Sequence, residues 1–163
     1  MLRIERARLE DVEAVQNVLR ETWLDTYGPF LAQRTLQEVT AIWHDASLLA
    51  SRIQDPDIYF AVARDDPAAI CGLVAAQRRG ADDLMIYRLY VRPGHQQRGI
   101  GTALFHETVA AFPGAARIVL QVVADNQKGL AFWRKHGFAP CGTKQETVAG
   151  ETINVIEMER RSA

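Results

Sequence analysis

Residues 84–91, Leu-Met-Ile-Tyr-Arg-Leu-Tyr-Val, stop at Arg92-Pro93-Gly94, and a helical pattern opens a few residues later on Gly99-Ile100-Gly101. Large apolar and aromatic side chains at this density fit a central strand, and a Pro-Gly pair ends one. From Gly99 to Phe112, Ile100, Leu104 and Ala111 form one helical stripe with Phe105, Val109 and Phe112 beside it, until Pro113-Gly114 breaks the pattern. A strong strand that runs through a glycine-bearing loop into a helix commits the chain to an α/β arrangement. It also creates a place for an anion. The first backbone N–H groups of a helix have no intrahelical partners and meet the positive end of its dipole. Gln96-Gln97-Arg98-Gly99-Ile100-Gly101-Thr102 is therefore suited to a phosphate or pyrophosphate, with the two glycines admitting oxygens to the backbone and Arg98 adding charge. A lone G-x-G more often only shapes a tight strand-to-helix turn, and it is the strand before and the helix after that favour the anion. The segment lacks the G-K-[ST] of a P-loop and the third glycine of a dinucleotide fingerprint, where Leu104 stands, which disfavours nucleoside triphosphates and NAD.

The rest of the chain supplies the context for this loop. Leu2–Arg6 reads as a short strand, and Asp11 stands where an N-cap would start a helix with Val12, Val15, Leu19 and Trp23 on one face, ending near Tyr27 before Gly28-Pro29. Helical spacing returns between Thr35 and Gln54, with a break expected around Asp45. Ile58–Ala63 and Ile70–Ala76 read as a buried antiparallel hairpin joined by Arg64-Asp65-Asp66-Pro67. After the strand at Leu84–Val91 and the helix at Gly99–Phe112 come a strand at Ile118–Val123 and a helix at Lys128–His136 closed by Gly137. A final hairpin joins Thr143–Val148 to Thr152–Glu159 around Ala149-Gly150. Strands in runs, then β-α-β-α, predict a mixed sheet with helices on its faces.

The 163 residues, 48% apolar and 24% charged, predict one domain, residues 1–163, large enough for a core without metals or disulfides. A net charge of -1 leaves no global field for nucleic acid or an anionic membrane, so any charged ligand is held locally. Cys71 and Cys141 form no CxxC pair and are expected to be buried free thiols; His44, His95, His106 and His136 show no metal-like spacing, so no metal is expected. Charges at Arg3, Glu5 and Arg6 interrupt any signal-peptide run, and no apolar stretch reaches the roughly 18 residues needed to span a bilayer, which makes cytoplasmic the default location.

Gln96-Gln97-Arg98-Gly99-Ile100-Gly101 resembles the Q/R-x-x-G-x-G/A signature of the GNAT acetyltransferases, whose loop cradles the pyrophosphate of coenzyme A. Leu89-Tyr90-Val91-Arg92-Pro93 resembles that family's fourth strand, which splays from the fifth and pairs its backbone with the pantetheine arm. Asn126, followed by Ala131-Phe132-Trp133-Arg134-Lys135-His136-Gly137-Phe138, is similar to the family's N...A-F-Y-x-K-x-G-F segment. Glu21-Thr22-Trp23-Leu24-Asp25-Thr26-Tyr27 is similar to a segment of bacterial polyamine and related small-amine acetyltransferases. The resemblance implies a GNAT fold: a mixed, mostly antiparallel sheet of about seven strands with about four flanking helices. It implies acetyl-CoA as cofactor, held by Leu89, Tyr90, Val91, Gln96 to Thr102 (Gln97, Arg98, Gly99, Ile100 and Gly101 between them), Asn126, Phe132, Trp133 and Lys135. The implied activity is direct transfer of acetyl to a primary amine, small-molecule or polyamine, with a homodimer as an admissible assembly. An acyl-CoA-binding module with little turnover and a peptide or protein N-acetyltransferase are the alternatives.

The implied chemistry moves two protons. An amine resembling Lys costs roughly 4–5 kcal/mol to deprotonate at pH 7, and the departing thiolate gains from a placed acid. The family's usual acid is the Tyr of A-F-Y, where this chain has Trp133, whose indole N–H donates a hydrogen bond but gives up no proton. Trp133→Tyr is therefore expected to keep or raise activity. Polyamine-type relatives often carry a carboxylate on the fourth strand where Tyr87 stands, and Tyr87 is taken as a proton relay. By the period of two it shares a face with Leu89 and Val91, and Tyr90 shares the other with Arg88. Glu21 and Asp25, with Tyr27, are expected to bind the cationic amine.

Overall fold

The computed structural model describes residues 1–162; residue 163, the last of the expected domain, lies outside the described residues. The elements are β1 (Arg3–Arg6), α1 (Val12–Tyr27), α2 (Gln33–Trp43), α3 (Ala46–Gln54), β2 (Ile58–Asp66), β3 (Ala69–Arg79), β4 (Asp83–Val91), α4 (Ile100–Ala111), β5 (Arg117–Val123), α5 (Gln127–Lys135), β6 (Ala139–Val148) and β7 (Glu151–Arg161). The helical region at 35–54 divides at Asp45, whose carboxylate accepts from Leu48 N and caps α3, so the described helices number five rather than four. None of them is long and apolar enough to cross a membrane.

The strands form one seven-stranded sheet in the order β1-β2-β3-β4-β5-β7-β6, antiparallel except for β4 and β5. Under one face, α4 and α5 bury Ile100, Leu104, Phe105, Leu130 and Trp133 against Leu84, Ile86, Ile118 and Leu120. On the other, Val15, Val18 and Leu19 of α1 and Leu49 of α3 pack on Phe60, Val62 and Leu73. A third cluster joins Trp23 and Tyr27 of α1 to Val39 of α2 and to Val148, Ile153 and Val155 of the final hairpin.

Two irregularities in β4 shape the middle of the sheet. Opposite β3, Ala75 pairs with Arg88 and Ala76 with Ile86, so Tyr87 is an extra, bulged residue. A bulge flips the side-chain alternation and sharpens the local twist. Leu84 and Ile86 before it and Leu89 and Val91 after it all pack on the α4 side, and Tyr90 turns to the α1 side. The period-of-two expectation for Tyr87 is thus corrected: it leaves the Leu89 and Val91 face and lines a cavity together with Arg88 and Tyr90. Parallel pairing of β4 with β5 covers only Asp83–Met85 opposite Arg117–Val119. Beyond Met85 the two strands part, while β5 stays paired with β7 up to Val123. A wedge opens in the middle of the sheet, where the facing edges of β4 and β5 no longer pair with each other.

Asp11 does not cap α1. A short 3-10 turn, Leu9–Asp11, precedes that helix, and the buried Asp11 carboxylate accepts from Arg8 N at 2.9 Å and from Arg64 at 2.6 Å. A strand arginine is the stronger partner, because a charge-assisted bond in a buried setting outweighs a cap. Cys71 is buried as expected, whereas Cys141 is exposed, because β6 is an edge strand with one side open to water.

Candidate active site

The loop between β4 and α4 reaches its helix through left-handed backbone. Gly99 occupies the N-cap with φ +79°, and Gln97 has φ 62°, a region that disfavours side chains. A Cβ built on Gly99 would meet nothing within 4 Å, so the ground in front of this helix end is open. The first helical bond runs from Ala103 N to Gly99 O at 3.0 Å. The N–H groups of Ile100, Gly101 and Thr102 therefore have no partners in the helix. Gly101 has a different reason to be glycine: its Cβ would lie 3.2 Å from Phe132 and 3.6 Å from Val91. It lets α4 pack onto α5 and β4. Ile100 is a core residue that offers the loop only its backbone, and Arg98 is exposed. Gln96 Nε2 donates to Val91 O at 3.0 Å, which ties the loop to the end of β4. Thr102 Oγ1 and His136 Nε2 are 3.2 Å apart.

On the α1 side of the wedge lies a cavity of about 230 Å³. Trp23, Tyr27 and Trp43 wall it on the helical side, Tyr87, Arg88 and Tyr90 come from β4, Gln121 and Val123 from β5, and Glu146 from β6. Trp23 and Tyr27 stack with centroids 4.3 Å apart, and Trp23 meets Trp43 edge-on at 5.7 Å. Asn126 bridges cavity and helix: its Oδ1 accepts from Gly129 N at 2.9 Å, capping α5, and its Nδ2 donates to Tyr27 Oη at 3.3 Å. Burial pushes the Tyr27 and Tyr90 hydroxyls well up, so both stay protonated. Trp23 Nε1 pulls Tyr90 slightly back down yet falls short of hydrogen-bond geometry. Tyr87 Oη donates to Gln77 at 3.1 Å and accepts from Arg79 at 3.0 and 3.2 Å on the sheet surface.

His44, which the sequence marked only as a packing or surface histidine, is the residue sequence reasoning missed. It is 1% exposed, lines the cavity beside Trp23, and its Nδ1 has no partner among the described residues. Burial first, then Arg88 and Arg20, hold its pKa at about 4 instead of 6.5. The unfolded chain thus binds more protons between these values, so His44 contributes stability that is complete above about pH 6.5 and is lost as pH falls toward 4. The difference is about 3 kcal/mol. His44→Gln is expected to flatten the acid limb of a thermal-midpoint profile between pH 7 and pH 4.5; parallel profiles for the two proteins would refute this.

Other expected site residues lie elsewhere. Glu21 makes a two-pronged pair with Arg92, 2.7 and 3.0 Å, and that hydrogen bond holds its carboxyl below the usual range, so it has no free charge for an amine. Asp25 is exposed outside the cavity, and Lys135 is exposed on α5. Glu21 and Asp25 keep their helical spacing but lie outside the cavity lining: of the α1 trio only Tyr27 faces the cavity. Trp133 is 7% exposed and packs edge-on against Phe105 at 5.6 Å and Phe138 at 5.1 Å. Phe132 is half-buried and packs beside Gly101 at the start of α4.

The fold has counterparts among known proteins. The Acetyltransferase (GNAT) family model matches residues 13–138, and the chain belongs to this family. N-acetyltransferases of uncharacterised role from Mycobacterium tuberculosis and Mycobacterium bovis are each 33% identical over 129 residues, 76% of this chain and 82% of theirs. Among solved structures, PaiA N-acetyltransferase of Thermoplasma acidophilum in complex with coenzyme A superposes with a TM-score of 0.80 at 24% identity over 99% of both chains. The ribosomal-protein-S18-alanine N-acetyltransferase of Escherichia coli gives 0.75 at 17% identity over 99% of this chain and 94% of its own. These two share its fold.

Proposed function

We propose that the protein transfers acetyl from acetyl-CoA to the nitrogen of a small primary amine, residues 1–163 working as one domain. The observation that carries this reading is the wedge between β4 and β5, which connects the open end of α4 to the aromatic cavity. The residues present fit coenzyme A. Three N–H groups at Ile100, Gly101 and Thr102, with Arg98 nearby, suit a pyrophosphate, and the edge of Leu89, Tyr90 and Val91 that faces away from β3 and has no β5 partner suits the amides of an extended arm. When bound, acetyl-CoA supplies a thioester carbonyl as electrophile.

The chain's own residues then have three tasks. Trp23, Tyr27, Trp43 and Tyr90 desolvate the amine, which favours its neutral form. Glu146, paired with Lys144 through Oε1 alone at 3.0 Å, keeps its second carboxylate oxygen to hold the ammonium and take its proton through water, with Tyr87 at the cavity wall as a relay. No proton donor is assigned to Trp133, since packing against Phe105 and Phe138 accounts for it; a thiolate of pKa near 8.5 takes a proton from water without a dedicated acid. Of the expected acceptors, a polyamine finds Glu146 in this cavity but also a guanidinium.

Acetyl-CoA at about a hundred times its dissociation constant is expected to add roughly 2.7 kcal/mol of stability, read as a rise in thermal midpoint. Release of coenzyme A over an amine panel is the second readout. No midpoint shift sinks the cofactor assignment. A shift with only background release makes the protein an acyl-CoA-binding module, and acetylation confined to peptides makes it a protein acetyltransferase.

A further inference from the structure

We infer that the acceptor amine also carries a carboxylate, and that Arg88 holds it: the substrate class is a free amino acid with an apolar side chain. This rests on the acetyl-transfer reading and concerns the same cavity. Of the four other partly buried arginines, Arg64 meets Glu5 and Asp11, Arg92 meets Glu21 and Arg117 meets Asp83 and Glu159, while Arg160, outside the cavity, donates to His136 O and lies over the Phe105 ring. Arg88 is also partly buried. Among the described residues its guanidinium pairs with no carboxylate, and its Nη2 donates to Trp43 O at 2.7 Å. Its surroundings are cationic: Arg52 acts on Arg88 itself, and Arg20 acts with Arg88 on the adjacent His44. The cavity's one carboxylate, Glu146, is held by Lys144 at 3.0 Å and does not reach Arg88.

A desolvated charge without a counter-ion is costly. A ligand carboxylate removes the deficit, because its two oxygens match the donor fork of a guanidinium. His44 adds a second unsatisfied group, a fully buried ring with Nδ1 free beside the same space. A cation on one wall, a carboxylate at another and aromatic rings between them complement a zwitterion with an apolar body. A polyamine brings its additional cations toward Arg88, Arg52 and Arg20 instead. The cavity of about 230 Å³ lies below the roughly 300–1,000 Å³ of drug-sized sites, which suits one free amino acid.

The test uses the full chain with matched acceptors: phenylalanine and leucine, their carboxamides, and spermidine. Coenzyme A release gives kcat and KM, and the thermal midpoint with each acceptor present reads binding separately. The acids are expected to have KM values at least about tenfold below the amides, and Arg88→Gln is expected to raise them on the order of ten- to a hundredfold. The acid-to-amide ratio of kcat/KM then falls toward one, while the midpoint shift given by acetyl-CoA persists. Arg88→Lys, which keeps the charge and loses the fork, is expected to fall between, and it serves if the Gln variant does not fold. Equal KM for acid and amide in the unmodified protein, or an unchanged ratio in Arg88→Gln, overturns the inference. If nothing is acetylated but the acids raise the midpoint of the unmodified protein and not of Arg88→Gln, the transfer reading falls and the carboxylate site stands. If amines are acetylated but no acid is preferred or bound, the carboxylate site falls and the transfer reading stands.

Discussion

Gly99→Asp is expected to weaken acetyl-CoA binding on the order of a thousandfold, with the fold intact. Gly99 sits at the N-cap of α4 with φ +79° and open space where a Cβ would stand. Asp tolerates a left-handed backbone better than most residues, so the backbone penalty stays near a kcal/mol. The functional penalty is larger. A carboxylate would satisfy the N–H groups of the first turn itself, as an N-cap does, and would set negative charge where the pyrophosphate belongs. Losing two charge-assisted hydrogen bonds at about 2 kcal/mol each gives the thousandfold figure. Loss of the acetyl-CoA midpoint shift in a variant whose own midpoint is nearly unchanged is the expected signature. Retained affinity would remove the loop from the cofactor site.

Trp133→Ala is expected to destabilise the protein by about 3–5 kcal/mol, measured by denaturant unfolding. The indole fills the space between Phe105, Phe132 and Phe138, with ring centroids 4.9–5.6 Å away, and is 7% exposed. Truncation leaves a cavity that α5 can close only by shifting on the sheet. The same packing changes what Trp133→Tyr should do. Read as a family position, residue 133 was expected to gain a proton donor and keep or raise activity. Read as a core position, it loses ring volume and brings a hydroxyl into an aromatic cluster, so the midpoint should fall and activity per folded molecule should not rise. An increase in kcat would return residue 133 to proton transfer.

Local patterns carried much of the architecture. Apolar runs and punctuation at Asp55-Pro56-Asp57, Arg92-Pro93-Gly94 and Pro113-Gly114 located the strands and helices, because turn chemistry and periodicity act over a few residues. The anion loop was legible for the same reason: a helix N-terminus is made by consecutive residues. The acceptor side was not legible in this way. His44 gave no signal in a segment read only for its helical stripe, and its role appears when α2 ends beside Trp23 and Arg88. The bulge at Tyr87 left no mark either, because two residues opposite one is a property of the pairing with Ala75 and Ala76 and not of β4 alone.

The sequence by itself determined the order of elements, the mixed sheet and the glycine-bearing turn that frees three N–H groups at the head of α4. Tertiary structure decided which charges remain available. Glu21 was spent on Arg92 and Asp11 on Arg64, partners 71 and 53 residues away, while Arg88 was left with a carbonyl alone. Helical spacing places a carboxylate on an arc of its own helix, but whether it meets water, a ligand or a guanidinium depends on which strand packs across from it. Charge pairing over that distance in the chain is a product of the fold, and the chemistry of the cavity is set by the groups that the fold leaves unpaired.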